Sequence, residues 1–176
     1  MHRIIRILFT ILYYGLAQYL PDSYSKVCGP VCNAIRIFCV KRIFKKCGNV
    51  SVVNRKAYFG NGQNVEIGNK SGIGANCFLP NNIIIGDCVM MAPDCYILSE
   101  NHEFRDTSIP MVEQGMAEKK QTIIEDDVWL GARVILTPGR TVKKGSIIAA
   151  GCVLTKDFPE YSIVGGNPGK LIKSRI

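Results

Sequence analysis

Two histidines stand in this chain of 176 residues, His2 and His102. His2 belongs to a basic lead-in. His102 lies in the polar stretch SENHEFRD, residues 99–106, between two regular halves of the chain. Imidazole is the side chain best suited to accept a proton near neutral pH, so His102 is a candidate general base. Glu100, Glu103 and Asp106 are close enough in sequence to orient it, and spacing does not choose among them. The eight cysteines, Cys28, Cys32, Cys39, Cys47, Cys77, Cys88, Cys95 and Cys152, form no C-x-x-C pair. They read as small buried hydrophobes with free thiols, and they lack the clustered spacing of a zinc site.

What must position His102 is a repeat. From Ile67 the sequence divides into IGNKSG, IGANCF, LPNNII, IGDCVM, MAPDCY and ILSENH. After an interruption it resumes as IEDDVW, LGARVI, LTPGRT, VKKGSI, IAAGCV and LTKDFP. All twelve leading residues are apolar, where average composition would give about half. The fifth position of the first six is mostly small or apolar. Neither a 3.6-residue nor a two-residue period explains this. A six-residue period does, if each hexapeptide is one short strand and a corner. Three such strands close a triangular coil of 18 residues, and successive coils pair as parallel strands about 4.8 Å apart. The expected fold is an all-β solenoid, a parallel β-helix with an aliphatic column as its core. Val53 and Phe59 keep the six-step, but Ile67 follows after eight, so an irregular coil or bulge is expected there. Residues 99–122 are too long and too polar for a corner and form an extruded loop, the kind of segment that carries function on a rigid scaffold.

The charge of +8 is uneven. Residues 1–46 hold Arg3, Arg6, Lys26, Arg36, Lys41, Arg42, Lys45 and Lys46 against Asp22 alone, whereas the remainder is nearly balanced. The chain thus divides into a basic N-terminal helical segment, 1–46, and a solenoid domain, 47–176, with a C-terminal tail at 159–176. Ile5, Leu8, Leu12 and Leu16 recur at helical steps up to Leu20 and Pro21, and Val27, Val31, Ile35 and Phe38 form a second stripe. Two readings stay open for these helices. They pack on the main domain or a neighbouring subunit, or they form a basic amphipathic surface for peripheral membrane contact. The opening residues also imitate a signal peptide, but the apolar stretch is short for a bilayer span. Nucleic acid is not expected as a partner, because no aromatic base-stacking platform interleaves the charge.

The block DDVWLGARVILTPGRTVKKGSIIAAGCVLTKDFPEYSIVGGNPGKLIKSR resembles the C-terminal half of the hexapeptide-repeat acyltransferases, in particular the galactoside, maltose, xenobiotic and capsular-polysaccharide acetyltransferases. The resemblance covers about residues 50–176. It implies a left-handed parallel β-helix; ordinary crossover preference alone favours the right hand. It implies acetyl-CoA as cosubstrate, no metal, and O-acetylation by direct transfer with His102, matched through Asn101-His102, as general base. For the CoA arm it points to the backbone near Gly131, Ala132 and Ala150, with Thr155 and Lys156 near the nucleotide end and Lys170 and Lys173 at phosphate-binding positions. It further implies a homotrimer with sites between subunits. Trp129 either walls the groove or packs between coils. A carbonic-anhydrase zinc site needs three histidines and cannot be built from two. A sugar nucleotidyltransferase would need a large nucleotide-binding domain that is absent here. The expected acceptor is a sugar hydroxyl of a polysaccharide or glycan precursor. The alternatives are a small diffusible acceptor (an antibiotic, a free sugar or serine) or a non-catalytic solenoid binding module. An intracellular cosubstrate argues against export, so the expected location is the cytoplasm, at the inner face of the membrane if the basic helices touch lipid.

Overall fold

The computed structural model describes residues 2–176, and of His2 the backbone only. The chain forms helix α1 (His2–Gly15), a short 3-10 turn (Ala17–Tyr19) and helix α2 (Gly29–Ile43), then winds into short strands separated by turns. The strands stack into sheets of five, seven and three, the three faces of a triangular column. The first face runs Lys46–Cys47, Glu66–Ile67, Ile84–Ile85, Ile123–Ile124, Thr141–Val142. The second runs from Val52–Val53 to Ile147–Ile148, and the hairpin of Ser162–Gly165 and Lys170–Ser174 completes it. The third holds Tyr96–Ile97, Ile135–Leu136 and Val153–Leu154, and bridges at Tyr58 and Phe78 extend it toward the N-terminus.

Pairing is parallel, and partners in regular neighbouring coils are eighteen positions apart, as in Ile67 with Ile85 and Leu130 with Ile148. All twelve leading residues point inward and are buried. The six-residue period is therefore the period of the core. Removing this column from water is the main favourable term for the fold. Seven cysteines are buried or half-buried, Cys88 is exposed, and all eight are free thiols.

The corners explain why no single residue type marks them. Nine of the twelve hexapeptides take a φ between +55° and +72° at their fourth residue. Gly139, Gly145 and Gly151 do so without steric cost, and Asn and Asp tolerate it. Lys70, Cys88 and Arg133 take it as well, each donating its N–H to a carbonyl of the preceding coil, of Asn49, Asn69 and Pro93. The irregular first coil is also present: Asn49 and Asn69 stand twenty positions apart. Its two added residues form a turn in which Gly62 N–H donates to Phe59 O and Val65 N–H donates to Gly62 O, both at 3.1 Å. A Cβ at Gly62 would stand 2.6 Å from Ile43 Cγ2, so the turn seats directly against the end of α2.

The helices close the N-terminal end of the column. Tyr13, Ala17, Cys39, Val40, Ile43 and Phe44 merge with its core, and the Tyr13 and Phe44 rings meet Phe59 at 4.7 and 4.8 Å. Tyr13 and Tyr14 donate to the carbonyls of Ala57 and Gly60 at 2.9 and 2.8 Å. Burial pushes both phenols up, Tyr14 to about 12, so they remain donors at neutral pH. The two leucine- and valine-bearing stripes of the sequence do not make this contact. Leu8, Leu12, Leu16, Val31, Ile35 and Phe38 face outward, and tyrosine, cysteine and alanine face in.

Arg36 is a second departure from the sequence pattern, where it counts among the basic residues of the helical segment. It is fully buried. Its guanidinium donates to Val53 O (2.7 Å), Ala17 O (3.3 Å), Leu20 O (3.1 Å), Pro21 O (3.0 Å) and Ser23 Oγ (2.9 Å). Both helices and the first coil are thus tied to one planar fork, the geometry that distinguishes Arg from Lys. Desolvation lowers its pKa from the usual arginine value. The Arg36→Met variant should lose about 3 kcal/mol, because five guanidinium hydrogen bonds in a buried or partly buried setting are lost, although Val53 O and Ala17 O keep Ser23 Oγ and Leu20 N–H as donors. Thermal unfolding checks this: Arg36→Met should melt several degrees lower, and Lys26→Met should melt with the parent.

Candidate active site

His102 is positioned by an interruption of the coil. Ile85 pairs with Ile124, thirty-nine positions on. The chain leaves the third face after Leu98, whose N–H still donates to Leu136 O, and rejoins the column at Thr122, whose carbonyl accepts from Ile84. ILSENH is therefore a rung only in its first part, and Asn101 at its fifth position is exposed. The excursion is an ordered ribbon. Lys120 N–H donates to Ser99 O (2.7 Å), Ala117 N–H to Asn101 O (2.9 Å) and Glu103 N–H to Gly115 O (3.0 Å), with an antiparallel bridge between His102 and Met116. Beyond it, Gln114 clasps the tip: its Nε2 donates to the carbonyls of Asp106 and Ile109, and its Oε1 accepts from Asp106 N–H. Hydrogen bonds from Ser108 hold the Asp106 carboxyl below the usual carboxylate range.

The His102 side chain is exposed on this ribbon. The three acidic neighbours are engaged elsewhere or unattached: Glu100 reaches Lys119 at 3.3 Å, Asp106 bonds Ser108, and among the described residues no carboxylate hydrogen-bonds the His102 ring. His102 lines a hollow of about 290 Å3 together with Phe104, Arg105, Lys120, Thr137 and Arg140. Arg140 also donates to Thr155 O (3.1 Å) and pairs with Asp157 (3.3 Å), tying this hollow to the Thr155–Lys156 corner of the next coil. Arg140 is missed by a reading of leading residues alone. Its signal lies in the fifth positions: Val128, Val134, Ser146 and Cys152 are buried, whereas LTPGRT places a guanidinium there. A second hollow, about 350 Å3, lies beside the base of the ribbon and is lined by Tyr58, Phe78, Tyr96, Asn81, Glu100 and Lys119. Its three rings form a stack with centroid spacings of 4.9 and 4.4 Å.

The remaining sequence-predicted residues occupy other places. Gly131, Ala132 and Ala150 follow strands of the second face and form its corner with the third. Thr155 and Lys156 lie across the third face, on the corner that His102 shares. Lys170 and Lys173 are exposed on the outer strand of the C-terminal hairpin. Trp129 is half-exposed on the outer side of the second face, between Met90 and Ile147. One chain therefore links the His102 hollow to Thr155 through Arg140 and leaves the Gly131–Ala150 corner on the other side of the third face.

That distant corner has its own chemistry. Along the corner between the first and second faces, each coil seals its neighbour. Asp126 accepts from Asp87 N–H (2.7 Å), Asp87 from Asn69 N–H (2.5 Å) and Asn69 from Asn49 N–H (3.0 Å). At the corner between the second and third faces the equivalent residues are Ala132 and Ala150. Alanine offers no acceptor, and among the described residues the Ala132 and Ala150 N–H groups donate to no protein atom. The coils also approach closely there; a Cβ at Gly131 would stand 2.5 Å from Ala150 N. This edge can donate hydrogen bonds to the amide carbonyls of an extended ligand, as a pantetheine arm requires. No group of three or more His, Cys, Asp or Glu side chains among the described residues could hold a metal ion.

Residues 121–156 match the family model described as bacterial transferase hexapeptide (six repeats). Over 143 residues the chain is 35% identical to a galactoside O-acetyltransferase of Lactococcus lactis, covering 78% of this chain and 66% of that one. A hexapeptide-repeat-containing acetyltransferase from Vibrio cholerae superposes with a TM-score of 0.76 at 25% identity, covering 98% of this chain and 92% of the other. A maltose O-acetyltransferase from Clostridium difficile 630 gives a TM-score of 0.72 at 26% identity, with 98% and 87% covered. The chain spans 31%, 66% and 55% of the lengths of three curated relatives it matches.

If the Gln114 clasp rigidifies the ribbon that carries His102, Gln114→Ala should speed amide hydrogen exchange across 103–117. Because the clasp is exposed, the melting temperature should stay within about 1 °C. Unchanged exchange would show that the ribbon does not depend on this side chain.

Proposed function

The chain belongs to the hexapeptide-repeat acyltransferase family, with its left-handed β-helix, and from that premise we propose that it transfers an acetyl group from acetyl-CoA to a sugar hydroxyl. One observation carries this reading. A single imidazole stands on an ordered ribbon at the column edge, beside a hollow rimmed by Arg105, Lys120 and Arg140. The names of the relatives, galactoside and maltose O-acetyltransferases, support a sugar acceptor. So does the second hollow, where the stacked rings of Tyr58, Phe78 and Tyr96 share the lining with Asn81, Glu100 and Lys119, a mixture suited to a pyranose.

In the proposed mechanism a ring nitrogen of His102 takes the acceptor hydroxyl proton as the oxygen attacks the thioester carbonyl. A backbone N–H of the alanine corner steadies the oxyanion of the tetrahedral intermediate. His102 then returns its proton to the departing thiolate. Both substrates are present together, and no cysteine is needed as a nucleophile.

The split of the site within one chain supports assembly. Within its own chain the His102 hollow is linked through Arg140 to Thr155, and the bare N–H groups of Ala132 and Ala150 lie beyond the third face. We assign the complete site to the junction between copies, in a homotrimer. There one copy presents His102, and the neighbour presents Gly131, Ala132 and Ala150 to the pantetheine arm and Thr155, Lys156, Lys170 and Lys173 to the nucleotide and its phosphates. The lysines would act as point charges.

Acetyl-CoA turnover against galactosides, maltose, nucleotide sugars and an antibiotic tests the reading. A sugar should support turnover, and His102→Ala should lower kcat about 10²–10⁴-fold without altering the fold. Equal turnover by His102→Ala at saturating acceptor would sink the proposed base, and turnover with the antibiotic alone would replace the acceptor class.

A further inference from the structure

The outward faces of α1 and α2 carry rows of exposed apolar residues that have no partner among the described residues. On α1, Ile4, Leu8, Ile11 and Leu12 share one side, with Ile4 and Ile11 65% and 64% exposed. Steps of three, four and seven put them on one stripe. On α2, Val31, Ile35 and Phe38 repeat the pattern, and Val31 is 64% exposed. The stripes join where Phe9 of α1 meets Phe38 of α2, ring centroids 5.5 Å apart. A contiguous apolar face of this kind marks an interaction surface.

Its charges identify the occupant. The N-terminal end of α1 and the C-terminal end of α2 meet around a hollow of about 550 Å3 lined by Arg6, Lys41, Arg42 and Lys45. A neighbouring hollow of about 270 Å3 holds Arg3 and Arg6 beside Asn61 and Gln63. Lys45 is matched by Glu66 at 2.7 Å, and Arg42 lies over the Phe38 ring. Among the described residues no carboxylate is within ion-pair range of Arg3, Arg6, Lys41 or Arg42. The one acid of the segment, Asp22, faces Arg55 at 3.9 Å. A second copy docked through this face would bring more of the same cations and no carboxylate to meet them. A phospholipid surface supplies acyl chains for the stripes and phosphates for the basic end. Among the described residues no helix is long and apolar enough to cross a membrane, and α1 at fourteen residues is about 21 Å long. The geometry is that of a face lying in the interface plane.

We propose that the paired outer faces of α1 and α2 dock this protein on an anionic phospholipid bilayer, with the apolar stripes in the acyl boundary and Arg3, Arg6 and Lys41 on headgroup phosphates. The inference is independent of the transfer chemistry.

Co-sedimentation of the full chain with vesicles tests it, using phosphatidylcholine alone and phosphatidylcholine containing about a quarter phosphatidylglycerol. Binding to the anionic vesicles, weakening with salt and much reduced on phosphatidylcholine alone, is expected. The Arg3→Gln, Lys41→Gln pair should bind about 30-fold more weakly, each cation contributing about tenfold or less. The Leu8→Ser, Ile11→Ser pair should bind at least about tenfold more weakly. Melting temperatures of both pairs should match the parent; should the serine pair unfold, the glutamine pair, altered only at exposed cations, decides alone. Failure to bind anionic vesicles, or binding that the glutamine pair leaves unchanged, overturns the proposal. A lipid-free particle whose mass drops when Leu8 and Ile11 are replaced also overturns it, assigning the face to a second copy.

Discussion

Each rung of this column stays in place because a buried apolar side chain lies one coil above, pointing the same way, eighteen residues on wherever the coil is regular. Ile67 over Ile85, Leu130 over Ile148 and Leu136 over Leu154 are the same constraint on three faces. A slip by one residue would turn core positions outward along the whole strand. The chain can therefore add residues only by pushing them out of the coil. It does so twice. Two extra residues near Gly62 make a turn that receives the end of α2, and the long insertion after Leu98 makes the ribbon that presents His102. Rigidity of the column and exposure of the imidazole are thus two results of one register.

Much of this was legible in the sequence because the period is strict. The solenoid, the irregular first coil and the excursion around His102 follow from where apolar residues recur and where they stop. The corners were less legible. Their left-handed fourth residues include Lys70, Cys88 and Arg133, each bonded through its N–H to the preceding coil, so residue type carries little signal. The helices misled for a physical reason. A helical stripe of leucine and valine normally faces the core, but here Tyr13, Cys39 and Ala17 face it. Tyrosine can both fill the end of the column and bond its open carbonyls, as Tyr13 does at Ala57. Arg36 misled in the same way: a cation among cations gives no hint that it will be buried and donate to four backbone carbonyls.

The candidate site was legible as a list of residues but not as an arrangement. His102, Thr155 and Lys156 come to one corner, with Arg140 between them, while Gly131, Ala132 and Ala150 sit on another. Asn and Asp side chains cap the N–H groups of one corner, and alanine leaves those of another bare. A contrast of that kind is invisible to a six-residue pattern, because it depends on which residues of successive coils lie above one another.

In the proposed assembly the imidazole of one copy works against the bare alanine corner of another. The direct measurement mixes two variants, His102→Ala and Ala150→Trp, in one oligomer and follows acetyl transfer to a sugar. Each variant alone should be nearly inactive, and the mixed oligomer should regain activity, because some junctions pair an intact His102 with an intact Ala150. Mixed oligomers of confirmed composition that stay as inactive as their parents would contradict the claim.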